Sequence, residues 1–421
     1  MARQYFGTDG VRGVVGDMLT PELVERLGRA AALWCGQGRV FIGRDTRASG
    51  PELEEAFATG FASAGGTAVL AGVLPTPAVA LLRLDLAAVI SASHNPPEYN
   101  GVKFFDREGR KLTDSAEEEI EALLDAPATG GGEIDRVDVA ADSYLEHVLE
   151  RFDTDLTGLR IAVDCANGAY AGLAPQAFEV LGAEVTAIGN EPDGTNINMG
   201  CGATDLRALA DVVRDGSFDL GIAFDGDGDR MLAVDERGET VDGDQILAAL
   251  ALDLDVEGVA VTTMANLGFH RLMEERGIRV VVTDVGDRYV LEALRREDLL
   301  LGGEQSGHLI WLDGHVTGDG LVAGLLLCRA LGGRSLSEAV SAMPRFPQVM
   351  QNLPRAGRGP LPPAIQDAVD DVNGELDGRG RVLVRPSGTE PVVRVLAEAE
   401  TPEAARELCA RIAALVTREL G

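Results

Sequence analysis

The chain has 421 residues, which corresponds to about three domains of ordinary size, and its hydrophobic fraction of 45% suffices to fill several cores. Its net charge of −31 predicts repulsion from other polyanions, so we expect neither nucleic acid nor an anionic membrane as a partner. The five cysteines lie far apart without a CxxC pair, and the N-terminal residues contain no apolar signal-peptide core, which together favour a cytoplasmic protein without disulfides or zinc.

Strands and helices alternate through the first part of the chain and predict an α/β domain over residues 1–150. The opening segment 6–13 is rich in glycine, which lets its backbone approach an anion, and Arg12 within it can add a phosphate contact. Farther along, Ser115 and Glu118 have the spacing of a capping box and predict that a helix begins there.

The central loop of this first domain contains Ser93. An apolar run over residues 84–90 predicts a buried strand, and the pair Pro96-Pro97 soon after it forces a loop. Ser93 therefore follows the carboxyl end of a strand, where open α/β sheets bind their ligands. A serine in such a loop is by itself more often a turn residue, so its interpretation as a nucleophile depends on the loops described next.

An acidic loop follows a strand predicted over 219–224, inside a second α/β domain placed at residues 151–255. Asp225, Asp227 and Asp229 alternate along an extended backbone and so project to one side, where they repel one another unless a cation lies between them. Such hard oxygen ligands select Mg²⁺ or Ca²⁺. An EF-hand is excluded because Arg230 occupies its glycine position and a strand precedes the loop. A solvated acidic turn is the remaining alternative.

A third polar loop follows the apolar residues 299–303, in a domain placed at residues 256–355. It contains Glu304, Ser306 and His308, whose side chains can hydrogen-bond a polar ligand. Polar loops after strands are common, so this loop is a weak signal by itself.

The last region, residues 356–421, predicts a smaller α+β domain with a basic loop. The hydroxyls, glycine amide and guanidinium groups of this loop and the following strand predict a phosphate cradle, and a simple β-hairpin turn is the alternative. The residues of the cradle are Arg385, Ser387, Gly388, Thr389 and Arg394.

Taken together, the loops supply a hydroxyl nucleophile, a metal site, hydrogen-bonding groups for sugar hydroxyls and a phosphate cradle. That set of groups is what phosphoryl transfer on a polyol requires, because positioning and neutralisation of charge account for most of its catalysis.

In their order along the whole chain, four motifs resemble those of the α-D-phosphohexomutase family. The motifs are Ser91-Ala92-Ser93-His94-Asn95-Pro96, Asp225 to Arg230, Gly303 to His308, and Arg385 to Pro391. Two segments are most similar to the branch of the family that acts on glucosamine phosphate: the opening Tyr5 to Gly13 and the sequence Ser91-Ala92-Ser93 before His94. The resemblance implies three similar mixed-sheet α/β domains and a C-terminal TATA-binding-protein-like α+β domain around a central cleft.

The resemblance also implies a role for each candidate residue. Ser93 is expected to carry the phosphoryl group and, with Asp225, Asp227 and Asp229, to bind one Mg²⁺. The expected sugar-binding residues are Glu304 and Ser306. The phosphate that does not react is expected to contact Arg385, Ser387, Gly388, Thr389 and Arg394. The residues expected around the reacting centre are Arg12, Lys103, Arg230 and His308.

The implied reaction is that of an intramolecular phosphotransferase, an isomerase that interconverts glucosamine 6-phosphate and glucosamine 1-phosphate. A hexose bisphosphate is expected as its intermediate and activator. The alternatives are a mutase for mannose or glucose phosphates and a sugar-phosphate-binding protein without catalysis. A homodimer is a candidate assembly.

Lys103 stands out because the chain contains only two lysines, Lys103 and Lys111. We expect a crowded, partly desolvated site to lower the pKa of Lys103, so that the amine can act as a general acid or base beside Ser93. The alternative is that Lys103 is a charge partner for phosphate or carboxylates.

Overall fold

The computed structural model describes residues 4–7, 9–355, 360–387 and 391–420. These residues form three mixed sheets with helices and one small antiparallel sheet with helices, which confirms the predicted fold class. The chain divides into two compact units, the first with residues 1–263 and 279–341 and the second with residues 264–278 and 342–421. None of the helices in the described part of the chain is both long and apolar enough to cross a lipid bilayer.

The first sheet has six strands in the spatial order β1-β5-β4-β2-β3-β6. The strands are β1 (Val11–Val14), β2 (Arg39–Arg44), β3 (Thr67–Val73), β4 (Leu86–Ile90), β5 (Tyr99–Asp106) and β6 (Glu133–Arg136). The helices of this region are α1 (Pro21–Trp34), α2 (Gly50–Ser63), α3 (Thr76–Leu81), α4 (Asp114–Ala122) and α5 (Ala140–Arg151). All residues of β4 are buried, as expected for a central strand between β5 and β2.

The capping box predicted at Ser115 is wrong. Thr113, in an extended conformation, is the N-cap of α4, and its hydroxyl accepts a hydrogen bond from the Ala116 amide at 3.2 Å. Threonine is a good N-cap residue, and Ser115 lies inside the helix, where it cannot fill that role. The sequence does not predict the strand β6, because its residues are mostly exposed at the sheet edge and form no apolar run.

The second sheet has the order β11-β10-β9-β7-β8. Its strands are β7 (Arg160–Asp164), β8 (Glu184–Ile188), β9 (Leu220–Phe224), β10 (Met231–Asp235) and β11 (Thr240–Val241). The helices that follow its strands are α6 (Ala174–Val180), α7 (Arg207–Gly216) and α8 (Gly243–Asp253). The acidic loop thus connects the antiparallel strands β9 and β10, which agrees with the exclusion of an EF-hand.

The third sheet has the order β13-β12-β14-β15. Its strands are β12 (Gly258–Thr262), β13 (Arg279–Thr283), β14 (Leu301–Gly303) and β15 (Leu309–Trp311). The helices of this region in the first unit are α10 (Asp287–Arg296), α11 (Gly320–Leu331) and α12 (Leu336–Val340). The segment between β12 and β13 contains a helix, α9 (Leu267–Arg276), which belongs to the second unit.

The three mixed sheets place their loops in the same way. In each sheet one strand pairs in parallel with one neighbour and antiparallel with the other, namely β4, β9 and β14. Ser93, Asp225 and Glu304 follow the carboxyl ends of these three strands. The sheets therefore present the predicted nucleophile, acidic loop and sugar-binding loop from equivalent positions.

The second unit contains a three-stranded antiparallel sheet in the order β16-β18-β17. Its strands are β16 (Gln348–Pro354), β17 (Gly380–Pro386) and β18 (Val392–Ala399), and its further helices are α13 (Pro363–Leu376) and α14 (Pro402–Leu420). The sheet begins upstream of the domain boundary that the sequence placed at 355/356. Arg385 and Arg394 are direct partners across β17 and β18.

Candidate active site

Ser93 is in direct contact with the acidic loop. Its hydroxyl donates a hydrogen bond to Asp225 Oδ2 at 2.6 Å, and the residue is only 1% exposed. The backbone of Ser93 has a φ of +52°, in the left-handed region that residues with a side chain rarely adopt. The backbone is therefore strained at Ser93, and contacts with surrounding residues must maintain this conformation of the loop.

Those contacts come from Arg47, a residue whose role the sequence did not reveal. Its guanidinium group is fully buried and donates to the backbone carbonyls of Ser93 at 3.0 Å and Asn95 at 2.8 Å, and also to that of Pro96. The Arg47 Nε also pairs with Asp45 Oδ2 at 2.9 Å. An arginine is suited to this work because its fixed set of donors can satisfy several oxygens at once.

The three aspartates of the acidic loop form a group that can bind a cation. Asp225, Asp227 and Asp229 are all buried, and each offers one oxygen within 4.8 Å of the others. Burial and the two neighbouring carboxylates raise the pKa of Asp225 well above its usual value. Among the described residues, the Oδ1 atoms of Asp227 and Asp229 have no hydrogen-bond partner. Buried oxygens of this kind fit a hard divalent cation such as Mg²⁺.

Lys103 is 1% exposed and contacts two of these carboxylates. Its Nζ atom lies 2.7 Å from Asp227 Oδ2, 3.3 Å from Asp229 Oδ2 and 3.5 Å from Asp9 Oδ2. Burial alone would lower the pKa of Lys103, but these carboxylates outweigh it and raise the pKa above its usual value. The expectation of a lowered pKa is therefore wrong for this environment, and the alternative of a charge partner fits it.

Arg12 and His308, two residues expected at the reacting centre, are each paired with an aspartate. Arg12 forms an ion pair with Asp9, and His308 Nε2 lies 3.3 Å from Asp287 Oδ2. The sequence predicts no role for Asp9, in the opening motif, or for Asp287, although the segment Gly286-Asp287-Arg288 also resembles the glucosamine branch of the family. Both carboxylates also contact Lys111, at 2.7 Å and 2.6 Å respectively.

Of the other expected residues, Arg230 is near the acidic loop, with its Nε 3.9 Å from Asp229 Oδ1. His94 Nδ1 lies 3.3 Å from the Ser93 hydroxyl, and burial together with the charges of Arg230 and Arg12 lowers the pKa of His94 to about 4. The imidazole is therefore neutral at neutral pH.

The third loop contains a carboxylate, Glu304, that burial affects and a hydroxyl, Ser306, that is exposed. Glu304 Oε1 accepts a hydrogen bond from the Gly286 amide at 3.0 Å, which fixes its carboxylate, and burial raises its pKa. Ser306 is exposed and His308 is buried. The loop thus has one oriented acceptor and one exposed hydroxyl available to a polar ligand.

The candidate phosphate cradle belongs to the second unit. Arg385 and Arg394 face each other across neighbouring strands, an arrangement of like charges that favours an anion near both. Ser387 follows β17, and its amide donates to the Val392 carbonyl at 2.9 Å. Gly388 and Thr389 lie outside the described residues.

Comparison with known proteins assigns regions of this chain to one family. Four regions match the domains described as those of phosphoglucomutase/phosphomannomutase: residues 3–129 match alpha/beta/alpha domain I, residues 142–238 domain II, residues 242–346 domain III and residues 354–415 the C-terminal domain.

Curated relatives resemble the chain over nearly its full length. The phosphoglucosamine mutase of Moorella thermoacetica is 49% identical, and the match covers 94% of this chain and 95% of the relative. That of Rubrobacter xylanophilus is 47% identical, with 99% of this chain and 98% of the relative covered. A solved structure of a phosphoglucomutase/phosphomannomutase family protein from Burkholderia thailandensis has a TM-score of 0.84 at 27% identity and covers 98% of this chain and 97% of that one.

Proposed function

Because the chain belongs to the phosphoglucomutase/phosphomannomutase family, we propose that it interconverts glucosamine 6-phosphate and glucosamine 1-phosphate through a phosphoserine enzyme and a bisphosphate intermediate. The observation that carries the proposal is the 2.6 Å contact between the Ser93 hydroxyl and the buried carboxylate group at Asp225. The choice of amino sugar is supported by the activity named for the relatives at 49% and 47% identity. The reaction makes the protein an isomerase that acts as an intramolecular phosphotransferase.

In the proposed reaction, phosphorylated Ser93 gives its phosphoryl group to the C1 hydroxyl of glucosamine 6-phosphate. The bond between phosphorus and the Ser93 oxygen breaks and a bond to the sugar oxygen forms. The sugar hydroxyl loses its proton and the Ser93 oxygen gains one, so the net number of protons is unchanged. The bisphosphate then reorients. The bond between phosphorus and the sugar O6 breaks, a bond to the Ser93 oxygen forms, the proton of Ser93 is exchanged for one on O6, and glucosamine 1-phosphate leaves. A trace of hexose bisphosphate is therefore expected to activate the enzyme by phosphorylating any free Ser93.

Asp225, Asp227 and Asp229 are proposed to hold one Mg²⁺, together with an oxygen on phosphorylated Ser93. The two buried Oδ1 atoms without partners support this assignment. A bound Mg²⁺ supplies positive charge near the phosphoryl oxygens, where negative charge must be stabilised during transfer.

The remaining roles follow from charge and exposure. Arg12, Arg230 and His308 are proposed to contact the phosphoryl group. Arg230 lies beside Asp229, His308 helps to lower the pKa of Asp229, and Arg12 helps to lower the pKa of His94, which is next to Ser93. Glu304 and Ser306 are proposed to bind the sugar hydroxyls. The phosphate that does not react is proposed to bind at the cradle, with Arg385, Ser387, Gly388, Thr389 and Arg394. A cytoplasmic location stays a prediction from the sequence, and a homodimer stays a candidate assembly.

Substrate preference tests the proposed function. The purified enzyme is given Mg²⁺, a trace of glucose 1,6-bisphosphate and, in separate assays, the 6-phosphates of glucosamine, mannose and glucose. We expect the highest kcat/KM for glucosamine 6-phosphate. A higher kcat/KM for the mannose or glucose ester would assign the enzyme to another substrate of the same family.

The metal assignment predicts an altered Mg²⁺ requirement. Asp227→Asn removes one of the charges that hold the ion, so we expect the Mg²⁺ concentration for half-maximal activity to rise about tenfold, which corresponds to about 1.4 kcal/mol of binding free energy. Asp235→Asn is the matched control, because Asp235 is a buried carboxylate that accepts hydrogen bonds from Arg237 and from the Glu239 amide instead. Equal activity of the parent enzyme in a chelator and in Mg²⁺ would contradict the metal assignment.

A further inference from the structure

Lys111 lies at the centre of a series of alternating basic and acidic side chains that joins two parts of the candidate site. The series runs through five side chains in order: Arg12, Asp9, Lys111, Asp287 and His308. Arg12 pairs with Asp9, whose Oδ1 lies 2.7 Å from Lys111 Nζ. On the other side, Lys111 Nζ lies 2.6 Å from Asp287 Oδ2, and that same oxygen lies 3.3 Å from His308 Nε2.

The series connects elements that are far apart in sequence. Arg12 is on β1, in the first sheet, and Lys111 lies between β5 and α4. Asp287 is the first residue of α10, and His308 precedes β15 in the third sheet. Lys111 therefore links an acid near β1 of the first sheet to an acid that contacts His308 beside the third sheet.

The members of the series are desolvated enough for their pairing to matter. The side chain of Lys111 is 11% exposed, and those of Asp9 and Asp287 are 24% and 18% exposed. Burial opposes charge on Asp287, but Lys111 and His308 outweigh it and lower the pKa of Asp287 to about 2. Removing one partner from such a group leaves the others with uncompensated charge.

We propose that Lys111 is a positioning residue, which sets the Arg12 guanidinium and the His308 imidazole relative to Ser93 through Asp9 and Asp287. Long side chains such as Arg12 reach a precise position only when a second layer of contacts fixes their conformation. Phosphoryl transfer is sensitive to that position, because its catalysis depends on the placement of charge around the phosphorus atom. The inference rests on the proposed phosphoryl transfer at Ser93, but not on which hexose is the substrate.

A second ion pair, between α10 and α4, provides a matched control. Arg288, the residue after Asp287, has its Nη1 atom 2.7 Å from Asp114 Oδ1 and also pairs with Glu292. Asp114 and Glu292, which are not members of the series around Lys111, are each 55% exposed, so these pairs contribute little to stability. Arg288→Met therefore removes a bridge between these two helices without touching the proposed positioning series.

The experiment follows phosphoryl transfer directly. Enzyme phosphorylated with glucose 1,6-bisphosphate is mixed with sugar monophosphate, quenched at intervals and analysed by intact mass for loss of the phosphoryl group. In Lys111→Met we expect this loss to be about ten- to hundredfold slower, the size of effect that a small misplacement of catalytic groups produces. We expect KM for the sugar monophosphate to change little, Lys111→Arg to recover part of the rate, and Arg288→Met to react like the parent.

A coupling measurement sharpens the test. If Lys111 acts through Asp287, the double variant Lys111→Met/Asp287→Asn should lose less rate than the two single losses combined, because the two substitutions share the contact between Lys111 and Asp287. Strictly additive losses would argue that the residues act separately and would overturn the inference.

Two other results would also overturn it: transfer by Lys111→Met at the parental rate, or a loss in Arg288→Met as large as that in Lys111→Met. If Lys111→Met does not fold, Asp287→Asn, which keeps the size of the side chain, takes its place with the same expected and contrary results. Failure of the proposed function is recognised separately, because the parent enzyme would then show no transfer that depends on Ser93.

Discussion

Ser93→Ala is expected to abolish turnover and to remove the single phosphoryl group that intact-mass measurement should find on part of the parent enzyme. The hydroxyl is the only group that this substitution removes, and it is the one that contacts Asp225 at 2.6 Å. The strained φ of Ser93 and the buried Arg47 that holds its loop indicate that the loop maintains a particular position for this oxygen.

Ser91→Ala is the matched control for this prediction. Ser91 is a buried hydroxyl in the same loop, but it donates to Asp45 at 2.6 Å and accepts from the Ser93 amide at 2.9 Å, so it supports the loop without facing the acidic group. We expect Ser91→Ala to retain the phosphoryl group and a reduced but measurable turnover. A fully active Ser93→Ala enzyme, or one that still carries the phosphoryl group, would contradict the assignment of Ser93 as the carrier.

The positions of Ser93, Asp225 and Glu304 could be predicted from the sequence because they depend on local signals. An apolar run predicts a buried strand, and the glycine, proline and acidic residues after it predict where the strand ends. The structure adds that all three strands occupy the same place, where the sheet changes from parallel to antiparallel pairing. Strand order is set by pairing between distant segments, and a local pattern does not contain it.

The residues that support the site could not be predicted in the same way. Arg47 was visible only as part of a polar loop after β2, because nothing near it in sequence shows that it binds the Ser93 loop. Asp9 lies in the glycine-rich opening, where the sequence predicted a role for Arg12 alone. The scarcity of lysine was the one signal that singled out Lys111, and its contacts with Asp9 and Asp287 depend on the folded chain.

Substitution of Lys103 is expected to have the second large effect. Its ammonium group lies among Asp9, Asp227 and Asp229, and the side chain is almost completely buried. Lys103→Met leaves these carboxylates without their shared cation, and breaking a buried ion pair by removing one partner costs about 3–5 kcal/mol. Because two of these carboxylates, those of Asp227 and Asp229, belong to the acidic loop, their displacement misplaces charge around Ser93, and we expect turnover to fall at least about hundredfold.

Lys103→Arg separates the two roles that this lysine can have. The guanidinium group keeps the positive charge among the carboxylates but does not release a proton in proteins. Because the surrounding carboxylates raise the pKa of Lys103, we expect the charge to be the main contribution and Lys103→Arg to recover a large part of the turnover that Lys103→Met loses. The comparison requires that both variants are fully folded at the assay temperature and that Lys103→Arg keeps the parent's Mg²⁺ requirement, which shows that the acidic loop is intact. If Lys103→Arg meets these conditions and is as inactive as Lys103→Met, proton transfer, a step typically worth about 10²- to 10⁴-fold in rate, is the better account of why a lysine stands at this position.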